Sequence, residues 1–305
     1  MLAGTSPHTS DAAESAAGFY LLGSHGNFAA LVPPPGFYIE YDQIIYTTSE
    51  GANVPQGGRL HVDLDATAIL PFVTGIWAPD DVEVAGMRPY FSLSIVSGWK
   101  HTSASAELTG PGGMVFKTNT EESDYLLGDP VAAVGLGGGT GPFFWSGLVS
   151  VNIPIGDYEK GRSTNVSFNR WGVDTTLSLT WFDQPSGWEI STATGLTFNG
   201  ENPTTSYDTG TEWHIEAAFS KSFASGLQLG FAGYHYDQIT GDSGSGAVLG
   251  GFEGRVTGVG PTIGYTLDIG ATPVTIKARY FHEFGAKNRF AGEVVYLTLA
   301  APIQF

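Results

Sequence analysis

The chain contains no cysteine, so neither a disulfide framework nor a thiolate metal site is open to it. Cations are scarce. Lys and Arg total 13 against 30 Asp and Glu, a formal charge of -17, and no basic stripe exists to follow a nucleic-acid backbone. Charged residues of both signs make up 14% of the chain, where an ordinary soluble domain carries about a quarter. No apolar run approaches the ~18 residues of a transmembrane helix. HExxH, CxxC and a full EF-hand loop are all missing, so no metal and no cofactor is expected. The opening stretch MLAGTSPHTSDAAESAAG lacks a secretory-signal pattern. For an exported protein, the expectation is that the numbering describes a mature form.

What the chain has instead is glycine, 43 residues of it, and aromatics, 13% of the total. Residues 1–35 show no alternation and end on Pro33, Pro34 and Pro35. From Gly36 onward apolar residues recur every second position, the mark of half-buried strands. The pattern predicts about twelve strands. Six lie near 36–47, 60–75, 84–98, 128–138, 143–156 and 169–183. Five more lie near 188–199, 211–223, 227–240, 254–268 and 273–286, and the last covers the C-terminal EVVYLTLAAPIQF. Tight connections at 184–187, 224–226 and 269–272 alternate with long ones at 48–59, 99–127, 157–168 and 241–253. Short turns on one side, long loops on the other and an even strand count define a transmembrane antiparallel β-barrel, with periplasmic turns and extracellular loops. The apolar faces, about ten residues long, suffice for a tilted strand to cross a bilayer. Trp145, Trp171, Trp181, Trp188, Trp213 and Tyr280 sit near strand ends, as in an aromatic girdle.

This design answers a question raised by the terminal strand. Val295, Leu297, Leu299, Ala301, Ile303 and Phe305 share a face that no remaining chain can cover, so lipid covers it. Residues 36–305 are then the barrel, and lipid and lipopolysaccharide of a Gram-negative outer membrane are its surroundings. A soluble β-sandwich also alternates, but it would not keep about ten apolar faces outward with acids and Arg on the other side.

If one face meets lipid, the other lines the lumen. The expected charged lining is Glu40, Asp42, His61, Asp63, Asp65, Arg88 and Arg170, continued by Asp174, Glu189, His214, Glu216, Lys277, Arg279 and Glu283. Such charges are either paired and wet, rigidifying the barrel, or a selectivity lining whose acid excess favours cations. Tyr90, Phe144, Phe182, Phe281 and Tyr296, with Tyr234 or Tyr236, are expected inside as filling or as a slide for aromatic cargo. On strand two, Leu60, Val62, Leu64, Leu70 and Phe72 are expected outward. Twelve strands enclose more space than side chains fill in an eight-stranded barrel. Residues 1–35 are therefore expected inside, anchored by Leu21, Leu22, Phe28 and Leu31 and stiffened by Pro33, Pro34 and Pro35. The bland alternative is a loose periplasmic tail.

Three motifs invite other readings. GDSG at 241–244 has the letters of a serine-protease nucleophile, but Ser243 sits among turn-forming glycines. His282 and His235 could serve a lipid hydrolase at the rim, but no serine is placed by motif beside either. His61, Asp63 and Asp65, two apart, could meet a cation but match no metal motif. A plugged structural barrel without transport remains as a further alternative.

Several segments, in order, resemble a known family: GFYLLGSHGNFAALVPPPGFYIEY, LGDPVAAVGLG, IPIGDYEKGR, NPTTSYDTGTEWH, GYHYDQITGDSGSG, VGPTIGY and KNRFAGEVVYLTL. Together they resemble the outer-membrane protein family named for the meta-pathway of phenol degradation, over about Gly18 to Phe305. The resemblance implies an outer-membrane channel for passive uptake of small molecules, with hydrophobic or aromatic compounds as candidate cargo. A terminal Phe such as Phe305 is what outer-membrane barrels present to their assembly machinery. A hydrophobic cargo could also leave sideways through a defect in the wall, and the Gly-rich strands near 128–138 and 254–268 are where one is expected.

Overall fold

The computed structural model describes residues 18–55, 59–109, 115–247, 250–270 and 272–303; for 49–55, 59–64, 106–109 and 115–117 it describes the backbone alone. The strands are β1 (Gly36–Pro55), β2 (Arg59–Ala78), β3 (Arg88–Thr109), β4 (Val115–Leu127), β5 (Val131–Thr140), β6 (Phe143–Asn152), β7 (Gly172–Asp183) and β8 (Trp188–Asn199). They continue as β9 (Glu201–Asn202), β10 (Tyr207–Asp208), β11 (Glu212–Ser222), β12 (Leu227–Gln238), β13 (Arg255–Ile269), β14 (Thr272–Lys287) and β15 (Gly292–Ile303). A thirteen-stranded antiparallel sheet runs β2-β1-β15-β14-β13-β12-β11-β8-β7-β6-β5-β3-β4, and β2 also pairs with β3. That last pairing closes the circle. With β4 set aside as an addition to the upper half of β3, twelve strands form the barrel. The small hairpin β9–β10 stands in the connection between β8 and β11.

The alternation decides which way each strand faces. In β7, Val173, Leu177 and Leu179 are 38%, 69% and 59% exposed, while Asp174, Thr176 and Ser178 are 1%, 1% and 4% exposed. A soluble sheet would bury the leucines, so this wall is inside-out, with apolar side chains facing lipid. Leu297, Leu299 and Ile303 of β15 are exposed in the same way, with Tyr296 and Thr298 buried on the opposite face. At the short-turn end, Phe37, Trp77 and Phe91 stack across β1, β2 and β3, and Trp188 stacks on Phe219. Towards the other end, Trp213 meets His235 edge-on. These are two girdles.

Four expectations need correction. The stretches 48–59 and 99–127 are not loops but tall hairpins, β1–β2 and β3–β4, that carry the sheet beyond the other strands. Polar runs such as KHTSASAE give no core-facing alternation, so only cross-strand pairing reveals them. Strand five stops at Asn152 rather than 156, and Ile155 lies in the following connection. On the part of β2 from residue 65 onward the faces are reversed, and the side chains of Leu60, Val62 and Leu64 lie outside those described. Ile69, Val73 and Trp77 are exposed, and Leu70 and Phe72 pack inward against the buried cluster that contains Ile44, Phe281 and Tyr296. Asp65, expected inside, is exposed and is among the residues that line the large cavity above residues 18–22. The run AILPFVTGIW is apolar on both faces, so alternation cannot choose between them.

The fourth concerns the wall defect expected at the Gly-rich strand near 128–138. β5 pairs with β6 along its whole length and with β3 over Val131–Gly137, so its glycines open no gap. They make room instead. A Cβ at Gly135 would come 2.2 Å from the Tyr90 ring on the neighbouring strand, and one at Gly258 would come 2.3 Å from Tyr234. β13 keeps an unbroken ladder to β12. Towards β14 it skips Gly260 and Pro261, where proline has no N–H to donate, and shifts register between Arg255 and Thr257.

β4 and β5 are one line of chain broken at Gly128, Asp129 and Pro130. Asp129, 2% exposed, fixes this break. Its carboxylate accepts from Asn152 Nδ2 (3.0 Å), Gly156 N (2.9 Å), Ser167 Oγ (2.7 Å) and Phe168 N (2.8 Å). Those donors span the connection 153–171, which closes over the top of β6. Asp129→Ala orphans all four, at a cost of about 3–5 kcal/mol. The expected result is a clear fall in the temperature at which the folded barrel loses its compact gel mobility, with Asp129→Asn falling less. An unchanged transition for Asp129→Ala would refute this role.

Candidate functional site

Residues 18–35 run across inward-facing side chains of seven strands, β3, β7, β8, β11, β13, β14 and β15. Glu216 on β11 holds the segment at three points. Its Oε1 accepts from Gly23 N (2.8 Å) and Tyr20 Oη (2.9 Å), and its Oε2 accepts from His25 N (3.0 Å). Glu189 on β8 accepts from Phe28 N (2.8 Å) and Asn27 Nδ2 (3.1 Å), and Thr180 on β7 accepts from Ala30 N (3.1 Å). From β14, the Arg279 guanidinium donates to the carbonyls of Gly23 (2.7 Å) and Ser24 (3.0 Å) and to Asp42 (3.4 Å), while lying over the Tyr296 ring. Tyr296 Oη donates to the Leu22 carbonyl. The segment has no ladder of its own, so its backbone groups need such partners. Carboxylates take its N–H groups and a guanidinium takes its C=O groups.

Ring packing adds to this. Phe28 meets Phe182 edge-on at 5.0 Å, and Tyr20 stacks on His214 at 3.4 Å between centroids. Leu21 and Leu22 pack against an apolar cluster of Ile44, Tyr234, Phe281, Val294 and Tyr296. Burial holds the His25 imidazole down to about 4, so at neutral pH it is uncharged and its Nδ1 can accept from Ser24 Oγ at 3.0 Å. Leu31 was expected among the anchors but is 40% exposed; buried Ala30 occupies the inward position instead. Pro33 is half-buried, and Pro34 and Pro35 are exposed.

The remaining lining residues fall into place by strand parity. Asp174 accepts from Thr176, Thr197 and His214 Nε2, the last at 2.8 Å. Arg88 reaches the Val32 carbonyl at 3.4 Å. Glu40, Lys277 and Arg279 border a small polar void with Asn27 and Thr262. Glu283 accepts from Tyr234 Oη (2.8 Å) and Gly292 N (3.0 Å), and Arg170 donates to Asn199 Oδ1 (3.1 Å). Tyr90 and Phe144 lie over inward glycines, and both Tyr234 and Tyr236 face inward. The side chains of His61 and Asp63, residues 1–17 and Phe305 lie outside those described.

Sequence reasoning missed Glu212, Arg289, Tyr20, Asn27 and Asp129. Glu212 had a signal, since it shares the strand parity of His214 and Glu216. Tyr20 and Asn27 had none, because an irregular segment carries no period.

Above residues 18–22 lies a cavity of about 600 Å³. Its lining runs from β1, β2 and β3 on one side to β11, β12 and β14 on the other, under the connection 158–168. No group of three metal-ligating side chains occurs among the described residues.

The residues of the rival catalytic motifs have the following partners. Ser243 forms an isolated bridge with Asp208 and donates to its carboxylate at 3.4 Å. His282 Nδ1 bonds Glu293 (2.7 Å) on the outer surface, and His235 Nδ1 bonds Thr257 Oγ1 (2.8 Å).

A closed barrel of even strand number, apolar outside and polar within, is the architecture of an outer-membrane β-barrel protein. The chain belongs to the family described as "Putative MetA-pathway of phenol degradation", whose model matches residues 46–299. Among solved structures it resembles an outer membrane channel from Pseudomonas putida F1, with a TM-score of 0.62 and 11% identity, covering 90% of this chain and 98% of that one. The β domain of the Bordetella autotransporter BrkA follows at a TM-score of 0.45 and 14% identity, covering 89% and 100%. A channel described as the CymD monoaromatic hydrocarbon channel has a TM-score of 0.41 and 7% identity, covering 90% and 89%. No curated protein matches the sequence.

Proposed function

We propose that this protein is a channel of the Gram-negative outer membrane that admits small molecules passively, with residues 18–35 as its constriction. The observation that carries the reading is the pinned segment. A strand-free stretch with backbone N–H groups on Glu216 and Glu189 occupies a lumen that twelve strands leave too wide for side chains alone to fill. The family's description names phenol degradation, which supports hydrophobic or aromatic cargo. Lipid and lipopolysaccharide cover the exposed leucines, and Phe305 is offered to the assembly machinery. No nucleic acid, metal or cofactor enters the reading, and no catalytic role is assigned. The lumen acids favour cations over anions for any ion that passes.

The test is conductance of the whole chain in a planar bilayer, with reversal potentials in a KCl gradient and a parallel phospholipid-hydrolysis assay. A small, cation-preferring conductance without lipid hydrolysis is expected. Hydrolysis lost in His282→Ala, with no current, would replace the channel by a lipid-modifying enzyme.

A further inference from the structure

Three rings stack inside the lumen. Tyr20 lies between two imidazoles, 3.4 Å from His214 on β11 and 5.7 Å from His25 on its own segment, at interplanar angles of 17° and 13°. The two imidazoles differ in their company. His214 Nε2 meets the Asp174 carboxylate at 2.8 Å, so a proton gained by His214 has a counter-charge in contact. Among the described residues no carboxylate touches the His25 ring. Its Nδ1 is 3.0 Å from Ser24 Oγ and 3.3 Å from Tyr20 Oη, and that phenol already donates to Glu216. Glu216 bonds the backbone N–H of His25, not its ring, and accepts from Gly23 and Tyr20 as well.

The charges that face His25 come from three strands: Glu216 and His214 on β11, Asp174 on β7 and Arg279 on β14. The two carboxylates attract a proton, but both are engaged, Asp174 by Thr176, Thr197 and His214. The phenol of Tyr296 on β15 is taken by the Leu22 carbonyl. Burial holds the proton off His25 first, with His214 and Arg279 behind it, so the docked ring titrates at about 4 against 6.5 for a free one.

We propose that His25 is an acid latch on the lumenal segment: a proton on its ring frees the segment from the wall, and His214, although it shares the stack, takes no part. A charged His25 has no carboxylate to meet inside the barrel, whereas water meets it fully once the segment leaves. That release raises the current rests on the channel reading; release itself does not.

Linkage gives the sign and the size. A group whose pKa is depressed on docking favours the released state as the pH falls below 6.5, and the effect saturates below about 4. Between pH 7.5 and pH 5 the ratio of released to docked segment rises about 30-fold.

The test reads release directly, on the whole chain in detergent micelles. The chain has no thiol of its own, and Gly26 is buried with nothing nearer to an added Cβ than Ala232 at 3.9 Å, so Gly26→Cys supplies one. Its rate of modification by a water-soluble methanethiosulfonate is divided, at each pH, by that of Gln184→Cys on the exposed turn after β7. This ratio is expected to rise about 30-fold from pH 7.5 to pH 5 and to return on neutralisation. His25→Gln in the same background, which takes up no proton, should flatten it, while His214→Gln should keep the rise, with compact gel mobility confirming both folds. A flat ratio with His25 in place overturns the proposal. A rise that survives His25→Gln overturns it in favour of the carboxylates, and a rise lost in His214→Gln overturns it in favour of the whole stack. Release at pH 5 with no bilayer current at any pH would leave the latch standing and sink the channel. A current that grows on acidification while the ratio stays flat would do the reverse.

Discussion

A variant lacking residues 1–33 is expected to conduct several-fold more current in a planar bilayer than the whole chain. The removed stretch carries Tyr20, Gly23, His25, Asn27, Phe28 and Ala30, which bond to Glu216, Glu189 and Thr180. The barrel itself keeps all its pairings, because β1 begins at Gly36 and is held by β2 and β15. The loss is therefore a loss of filling. The apolar cluster around Phe281 and Tyr296 becomes the new wall of the passage, wetted where Leu21 and Leu22 had packed. Side chains from twelve strands cannot collapse to close that width. Equal currents from the two forms would show that the constriction lies elsewhere. No current from either would remove diffusion through the lumen as the mechanism.

The second large effect belongs to one carboxylate. Glu216→Ala should release the segment while leaving it attached. Three donors, from Gly23, His25 and Tyr20, lose their acceptor in a buried site, at a combined cost of about 3–5 kcal/mol. The expected outcome is frequent opening to the current level of the truncated form, and protease cleavage within residues 18–33 under conditions where the native chain resists. Glu216→Gln retains an acceptor oxygen and should lie between the two. A conductance for Glu216→Ala that matches the native chain would mean that Arg279 and Glu189 hold the segment unaided.

The legible part of the fold is the part governed by period two. β7, β8 and β15 alternate so cleanly that both the existence of each strand and its lipid face follow from residue order. The same rule carries the inward positions of Asp174, Glu189, His214, Glu216 and Arg279. It fails in two ways. Where both faces are apolar, as in β2, nothing local says which side Leu70 and Phe72 will take. Where both are polar, as in the upper halves of β1 and β3 and in β4, a strand reads as a loop. Glycine misleads for a third reason. In β5 and β13 its inward positions accommodate Tyr90 and Tyr234 from neighbouring strands, a need that only the paired strands reveal.

The sequence alone therefore determines the barrel, its approximate strand number and the chemistry of its two surfaces, because those depend on neighbours two residues apart. Only the tertiary structure decides what meets inside. Gly23 and Glu216 are 193 positions apart, and Tyr296 and Leu22 are 274 apart. No period links an irregular segment to a strand on the far side of a barrel. Their pairing is settled by a physical demand that appears on closure: buried N–H and C=O groups must find partners, and the lumen supplies them.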